Sequence, residues 1–145
     1  YKLPPLPRPR PLMTSRVSST VSYTDAVHAV GMDLVNYPGG IVEMFGPSSL
    51  DTAHEYIKDL LARHLEGQHI VIHCRAGVGR AGMIAAMFLL LKGEVETPQQ
   101  AICTVRARRG KQAIESRQQE QAVVQYHEYL QVLACSVPKT AGTNS

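Results

Sequence analysis

Cys74 and Arg80 are separated by five residues, two of which are the glycines Gly77 and Gly79. An ionised cysteine is a strong nucleophile, and the planar fork of a guanidinium matches two oxygens of a phosphate group. The glycines allow the backbone to approach an anion closely. The spacing therefore predicts a loop that binds phosphate beside a thiolate. The reaction expected of it is attack of Cys74 on phosphorus, followed by hydrolysis of the phosphocysteine.

The flanking sequence predicts the elements that hold this loop. Ile70–Ile72 is a short apolar β-branched run, typical of a buried strand. Met83–Leu91 is rich in Ala, Leu and Met and predicts a buried helix that ends at Gly93. A loop between a strand and a helix N-terminus surrounds an anion with backbone N–H groups. The same groups favour the thiolate of Cys74.

The segment from His73 to Arg80, His-Cys-Arg-Ala-Gly-Val-Gly-Arg, resembles the signature loop of the cysteine-dependent protein tyrosine and dual-specificity phosphatases. The resemblance implies a hydrolase that removes phosphate from phosphotyrosine, with phosphoserine and phosphothreonine as further substrates and with no cofactor or metal. It makes Cys74 and Arg80 catalytic. The loop residues that it assigns to phosphate binding are His73, Arg75, Ala76, Gly77, Val78 and Gly79. A rhodanese-type sulfurtransferase also has a cysteine in an anion-binding loop, but the paired glycines and the arginine fit the phosphatases better.

Ala81 departs from the usual pattern of the resembled family. Most members have Ser or Thr directly after the arginine, and its hydroxyl eases departure of the cysteine sulfur from the phosphocysteine. The phosphatases of regenerating liver, which turn over slowly, are similar in having Ala here. Over residues 14–134 the chain looks closest to the small atypical dual-specificity phosphatases. The resemblance thus predicts slow hydrolysis, and a phosphatase-like binding module or pseudophosphatase remains the alternative.

Cleavage of a phosphate ester also needs an acid for the leaving oxygen, worth about 10²–10⁴-fold in rate. In the resembled family an Asp on a preceding loop supplies it. Glu43 is the best candidate here and Asp33 the second, although a solvated loop carboxylate explains Glu43 equally well.

A segment downstream of the loop also matches the resembled enzymes. Ala113-Ile114-Glu115-Ser116, with Gln119 following, corresponds to a region that helps to place the hydrolytic water. The resemblance makes Glu115 a catalytic candidate and Gln119 a substrate-site candidate. Stabilisation of a carboxylate at a helix start explains Glu115 equally well.

Helical periodicity and capping residues predict three further helices. They begin near Ser48, at Thr97-Pro98 and near Ser116, and the first ends at Gly67. Strands are predicted at Arg16–Ser22 and Val30–Tyr37, in addition to Ile70–Ile72. Alternating strands and helices predict an α/β fold, with a central, mainly parallel twisted sheet of about four to five strands flanked by helices.

Composition bounds the domain plan and the cellular setting. The 145 residues, 44% of them hydrophobic, suffice for one core. We expect a proline-rich arm over residues 1–13, a phosphatase domain over 14–135 and a polar tail over 136–145. Three irregularly spaced cysteines favour a reducing compartment, cytoplasmic or nuclear. Neither a membrane-spanning run nor a prenylation cysteine is present, so no membrane anchor is expected.

Two features bear on partners. The motif Pro4-x-x-Pro7 near Arg8 fits an SH3-type groove, but a flexible lead-in explains it better. A net charge of +3 suits an anionic substrate, such as a phosphorylated protein, and does not indicate nucleic acid. Four basic residues follow one another closely late in a predicted helix: Arg106, Arg108, Arg109 and Lys111. They favour polyanions such as phosphoinositides, or simply complement the helix dipole.

Overall fold

The computed structural model describes residues 21–36 and 47–136, and these residues form five helices. They are α1 (Tyr23–Ala29), α2 (Pro47–Leu65), α3 (Gly79–Lys92), α4 (Pro98–Arg109) and α5 (Arg117–Ser136). The chain divides into two compact units, Tyr1–Asn36 and Tyr37–Ser145. The first unit contains α1, which starts where the Ser22 hydroxyl accepts a hydrogen bond from the Asp25 N–H. The second unit contains the other four helices.

The predicted sheet is wrong for the described residues, because residues 21–36 and 47–136 contain no strand. Residues 68–74 have no regular secondary structure. Val71 is 69% exposed, while Ile70 and Ile72 on either side pack partly against the core. β-Branched residues favour extended backbone, but a strand also needs hydrogen bonds from a neighbouring strand, and this segment has none within the described part of the chain.

The other predicted strands are also corrected as far as they are described. Residues 30–36 contain a turn followed by irregular chain. Residues 16–20 and Tyr37 lie outside the described residues, as do the proline-rich arm and the candidate acid Glu43. Ser136, at the start of the predicted tail, ends α5, and the rest of that tail lies outside as well.

Helix α3 is the centre of the second unit, where it contacts α2, α4 and α5. Nine of its fourteen residues are buried, so it is apolar on nearly every side, as expected of a helix surrounded by others. Met83 and Met87 are among its fully buried side chains. Because α3 begins at Gly79, packing of this helix fixes the position at which the Cys74 loop ends.

The predicted helix ends are largely confirmed. Gly93 caps α3 in the left-handed conformation with φ 72°. Thr97 and Gln100 form a reciprocal capping box at the start of α4, with Pro98 as its first residue. Ser116 accepts the Gln119 N–H at the start of α5. Helix α1 was not predicted, although Ser22 three residues before Asp25 is a capping signal.

Candidate active site

Backbone N–H groups converge on Cys74, which is half-buried at the start of the loop. The donors to its sulfur belong to Ala76, Gly77, Val78 and Ala81. Burial raises the pKa of the Cys74 thiol, while the four backbone N–H groups lower it, and their combined effect leaves that pKa below its usual value of 9.0. The direction of this shift favours the thiolate form of Cys74.

The first turn of α3 completes this arrangement. Gly77 has a left-handed φ of 67°, which a glycine adopts without a steric penalty. Val78 then leads into the helix, and its carbonyl accepts the N–H of Gly82. The N–H groups of this turn, together with the positive end of the helix dipole, make the loop a place where an anion binds favourably.

Two carbonyls of the loop are held by residues from elsewhere in the unit. Arg109, at the end of α4, donates from Nε to the carbonyl of Gly77 over 3.2 Å. The Ile114 N–H donates to the carbonyl of Val78 over 3.4 Å. The peptide that joins Gly77 to Val78, whose N–H faces the thiol, is thus anchored to α4. The next peptide, which carries the Val78 carbonyl, is anchored to the segment between α4 and α5.

That connecting segment, residues 110–116, has an unusual backbone. Ile114 is fully buried with a φ of 60°, a conformation that costs a β-branched residue about 1–3 kcal/mol. Arg106 holds the segment by donating to the carbonyls of Ala113 and Ile114 over 3.0 and 2.9 Å, and it also pairs with Glu120. Packing and hydrogen bonding therefore maintain a conformation that local preference opposes.

Gln119 lies against the loop from the start of α5. It is only 5% exposed, and its Oε1 accepts the Glu115 N–H over 2.9 Å. A Cβ added at Gly79 would lie 2.7 Å from its Nε2. The absence of a side chain at Gly79 is thus what allows the amide of Gln119 to approach the first turn of α3.

Comparison with known proteins identifies the family. Residues 42–123 match the sequence model of a family described as "Swiss Army Knife protein, DSP-PTPase phosphatase domain", PTP-SAK. The chain belongs to this phosphatase family. The predicted membership of the dual-specificity phosphatase superfamily is thereby confirmed.

Named relatives agree with this result. The chain is similar to protein tyrosine phosphatase domain-containing protein 1 of Danio rerio, with 34% identity over 99 residues, 66% of this chain and 14% of that protein. For the Bos taurus protein of the same name the identity is 33%, over 66% of this chain and 12% of the relative. Cyclin-dependent kinase inhibitor 3 of Sus scrofa is 30% identical over 95 residues, 66% of this chain and 43% of that protein. The chain thus spans less than half the length of each.

The remaining predicted site residues of the PTP-SAK domain lie at its surface. Arg75 and Arg80 are exposed, with Arg80 in the first turn of α3, and so are His73 and Ala76. Glu115 is exposed too, and it contributes its backbone N–H to Gln119. The loop, Arg80 and Gln119 therefore belong to one end of α3, while Asp33 is an exposed residue of the first unit.

The basic cluster of the PTP-SAK domain mostly makes internal contacts. Arg106 and Arg109 hold the 110–116 segment and the loop, and Arg108 pairs with Glu94 over 3.1 Å. Lys111 is exposed. Sequence reasoning treated these residues as one charge cluster and missed the structural roles of Arg106 and Arg109. Their spacing of three residues, which places them on the same face of a helix, was the available signal.

Neither a cluster of metal ligands nor a membrane-spanning helix occurs in the part of the chain that the structure describes. Within residues 21–36 and 47–136, no three His, Cys, Asp or Glu side chains lie together in a way that would hold a metal ion. Over the same ranges, none of the helices combines the length and the apolar character needed to cross a membrane.

Proposed function

We propose that this domain removes phosphate from phosphotyrosine in proteins, and also from phosphoserine and phosphothreonine, through a phosphocysteine on Cys74. The observation that carries the proposal is the convergence of four backbone N–H groups on the Cys74 sulfur at the start of α3. A group that stabilises a thiolate also suits the oxygens of a phosphate bound beside it.

In the first step, the Cys74 thiolate attacks phosphorus, a sulfur–phosphorus bond forms and the bond to the leaving oxygen breaks. Arg80 binds two of the non-bridging oxygens with its guanidinium, and the loop N–H groups bind the third. The leaving oxygen takes a proton from the general acid, for which Glu43 is the candidate. Its position lies outside the described residues, so the argument for Glu43 rests on the sequence alone.

In the second step, water attacks phosphorus, and the sulfur leaves as the thiolate with release of inorganic phosphate. The Gln119 amide lies against the first turn of α3, and only its Oε1 has a hydrogen-bond partner within the described part of the chain. Its Nε2 is thus a suitable group to orient this water, with Glu115 as the second candidate. Ala81 offers no hydroxyl to the departing sulfur, so we expect this step to be slow.

A binding module that retains phosphate with little turnover is the second candidate, and Ala81 is the residue that favours it. A phosphoinositide substrate is less well supported. Three of the four residues in the basic cluster already form hydrogen bonds or ion pairs with other groups of the protein. Docking of an SH3-type partner on the arm and a cytoplasmic or nuclear location remain predictions.

Rapid mixing with an aryl phosphate tests the proposal. We expect a burst of one leaving group per molecule, then a slow phase, and no burst in Cys74→Ser. Cys103→Ser, which changes an exposed cysteine of α4, is the matched control and should behave like the unchanged chain. A burst that survives in Cys74→Ser would refute the nucleophile.

The same measurement on Ala81→Ser separates the enzyme from the binding module. A restored hydroxyl should accelerate the slow phase and leave the burst rate nearly unchanged. Ala85→Ser, one helical turn further along α3, provides the control for a hydroxyl placed away from the thiol. If neither the unchanged chain nor Ala81→Ser shows a burst or turnover, the enzyme is excluded, and phosphate affinity that depends on Arg80 then establishes the binding module.

A further inference from the structure

A long-range side-chain hydrogen bond joins Arg109 to a carbonyl of the Cys74 loop. Arg109 Nε donates to the carbonyl oxygen of Gly77 across 32 positions of sequence. The end of the guanidinium also lies near the loop: a Cβ added at Gly77 would be 3.4 Å from Arg109 Nη2. This contact belongs neither to the attack on phosphorus nor to the hydrolysis.

Peptide geometry connects the contact to the nucleophile. The carbonyl of Gly77 and the N–H of Val78 belong to one planar peptide unit, in which the C=O and N–H bonds point in opposite directions. The Val78 N–H is one of the four donors to the Cys74 sulfur. A donor held on the carbonyl side therefore turns the N–H side of the same unit toward the sulfur.

The positive charge of Arg109 strengthens its hydrogen bond to the Gly77 carbonyl. A hydrogen bond from a guanidinium is about twice as strong as one between neutral groups, and it polarises the peptide that accepts it. The polarised Val78 N–H becomes a better donor to an anionic sulfur. The glycine at position 77 matters here as well, since its left-handed φ gives this peptide its orientation.

We propose that Arg109 is a positioning residue for the nucleophile: by holding the Gly77 carbonyl from outside the loop, it aims the Val78 N–H at the Cys74 sulfur. The proposal deepens the proposed phosphatase function and rests on it for its biological meaning. The alignment itself acts on the free thiol, before any substrate binds.

Alkylation of Cys74 by iodoacetamide measures this alignment directly. The reagent reacts with the thiolate, and it is uncharged, so a loss of anion binding does not affect its rate. The rate at Cys74 is followed against pH by mass spectrometry of the Cys74 peptide. His73, Arg75 and Arg80, the charged or titratable neighbours within the loop and first turn, are the same in every variant.

The informative variant is Arg109→Met, which keeps an unbranched side chain as far as the position of Nε and removes the guanidinium donors. We expect the alkylation rate near neutral pH to fall about three- to tenfold, with an unchanged plateau at high pH, since one aligned donor to a charged group is lost. Arg108→Met is the matched control. It removes the same charge from the same end of α4, but Arg108 pairs with Glu94 and should leave the profile unchanged.

Two results would overturn the proposal. An unchanged profile in Arg109→Met shows that the Val78 N–H needs no such anchor, and an equal fall in Arg108→Met shows that only the charge of the helix end matters. Arg109→Ala, whose denaturant midpoint is measured beside that of Arg109→Met, repeats the test with a shorter side chain. Failure of the phosphatase function gives a different result, because a chain that releases no phosphate from an aryl phosphate still yields this alkylation profile.

Discussion

At the scale of single residues, the site depends on the balance between burial and hydrogen bonding at one sulfur. Burial alone raises the pKa of the Cys74 thiol, and the backbone N–H groups reverse that effect. Backbone N–H groups are held in place by the loop, so their hydrogen bonds to the sulfur cost no side-chain entropy. The conformation of the loop therefore favours a negative charge at this position. Cys103 and Cys135 are more exposed than Cys74 but belong to the middle of α4 and the end of α5.

Gly79 gives a residue-scale prediction, because its missing side chain makes room for Gln119. In Gly79→Ala the new Cβ would meet the Gln119 amide at 2.7–2.9 Å, so the flexible end of Gln119 must move. We expect the slow phase of phosphate release to fall about tenfold or more through misplacement of that amide. Ala suits a helix better than Gly, so the free energy of unfolding should change by less than about 1 kcal/mol.

A double variant, Gly79→Ala with Gln119→Ala, shows whether the slower phosphate release in Gly79→Ala results from displacement of Gln119. When Gln119→Ala has already removed the amide, Gly79→Ala should add almost nothing to the loss, since the two changes act on one contact. Steady-state and burst measurements on the four proteins of this cycle give the coupling. A further large loss from Gly79→Ala in the Gln119→Ala background would contradict the prediction.

At the scale of elements, the turn between α4 and α5 connects the core to the loop. Its Ile114 side chain is fully buried, and its Ile114 N–H donates to the Val78 carbonyl. Gly82 of α3 approaches it closely, because a Cβ there would lie 3.2 Å from Ile114 Cγ1. The turn thus needs a defined shape, and Arg106 supplies the hydrogen bonds that maintain it.

Arg106→Met should therefore be costly for the fold. It leaves the carbonyls of Ala113 and Ile114 without their donor, in a turn that is already strained. We expect the free energy of unfolding to fall by about 2–3 kcal/mol, measured by urea denaturation. Arg108→Met, which removes only an exposed pair with Glu94, should cost less than about 0.5 kcal/mol. Equal losses in the two variants would show that Arg106 acts only as a surface charge.

The sequence predicted those parts of the fold that depend on neighbouring residues. Gly93, Thr97 and Pro98 act at helix ends within a few positions of the groups they cap, so their roles follow from spacing alone. The strand predicted at Ile70–Ile72 is wrong, because a strand needs a neighbouring strand that can be distant in sequence. The local sequence does not show whether that neighbour exists. The contact from Arg109 to Gly77 was missed for the same reason.

The candidate site divides in the same way. The positions of Cys74 and of the glycines follow from a motif of eight consecutive residues. The approach of Gln119 depends on the packing of α5 against α3, and it was expected only through the family resemblance. The candidate nucleophile is therefore easier to predict from the sequence than the residues that position it.

At the scale of the whole second unit, α2 and α5 meet around a cluster of titratable groups. His54 is buried, and its Nδ1 lies 3.0 Å from the hydroxyl oxygen of Tyr126. Burial raises the pKa of Tyr126 far above its usual value. The hydrogen bond to Asp51, with burial and nearby carboxylates, raises the pKa of Tyr129 to about 12. Both phenols therefore stay neutral near neutral pH.

His54 makes the stability of this unit depend on pH. Burial, and then the charge of Lys58, lower its pKa below the usual 6.5, against the weaker opposing effects of Glu55 and Asp51. The unfolded chain therefore binds more protons than the folded chain near pH 6, and the free energy of unfolding should fall as the pH drops from about 7 to about 5. His54→Gln, whose amide can still bond to the Tyr126 hydroxyl, should flatten that slope, whereas His69→Gln at an exposed position should not. Urea denaturation at intervals across this range measures the slopes, and parallel curves for the unchanged chain and His54→Gln would assign the pH dependence to other groups.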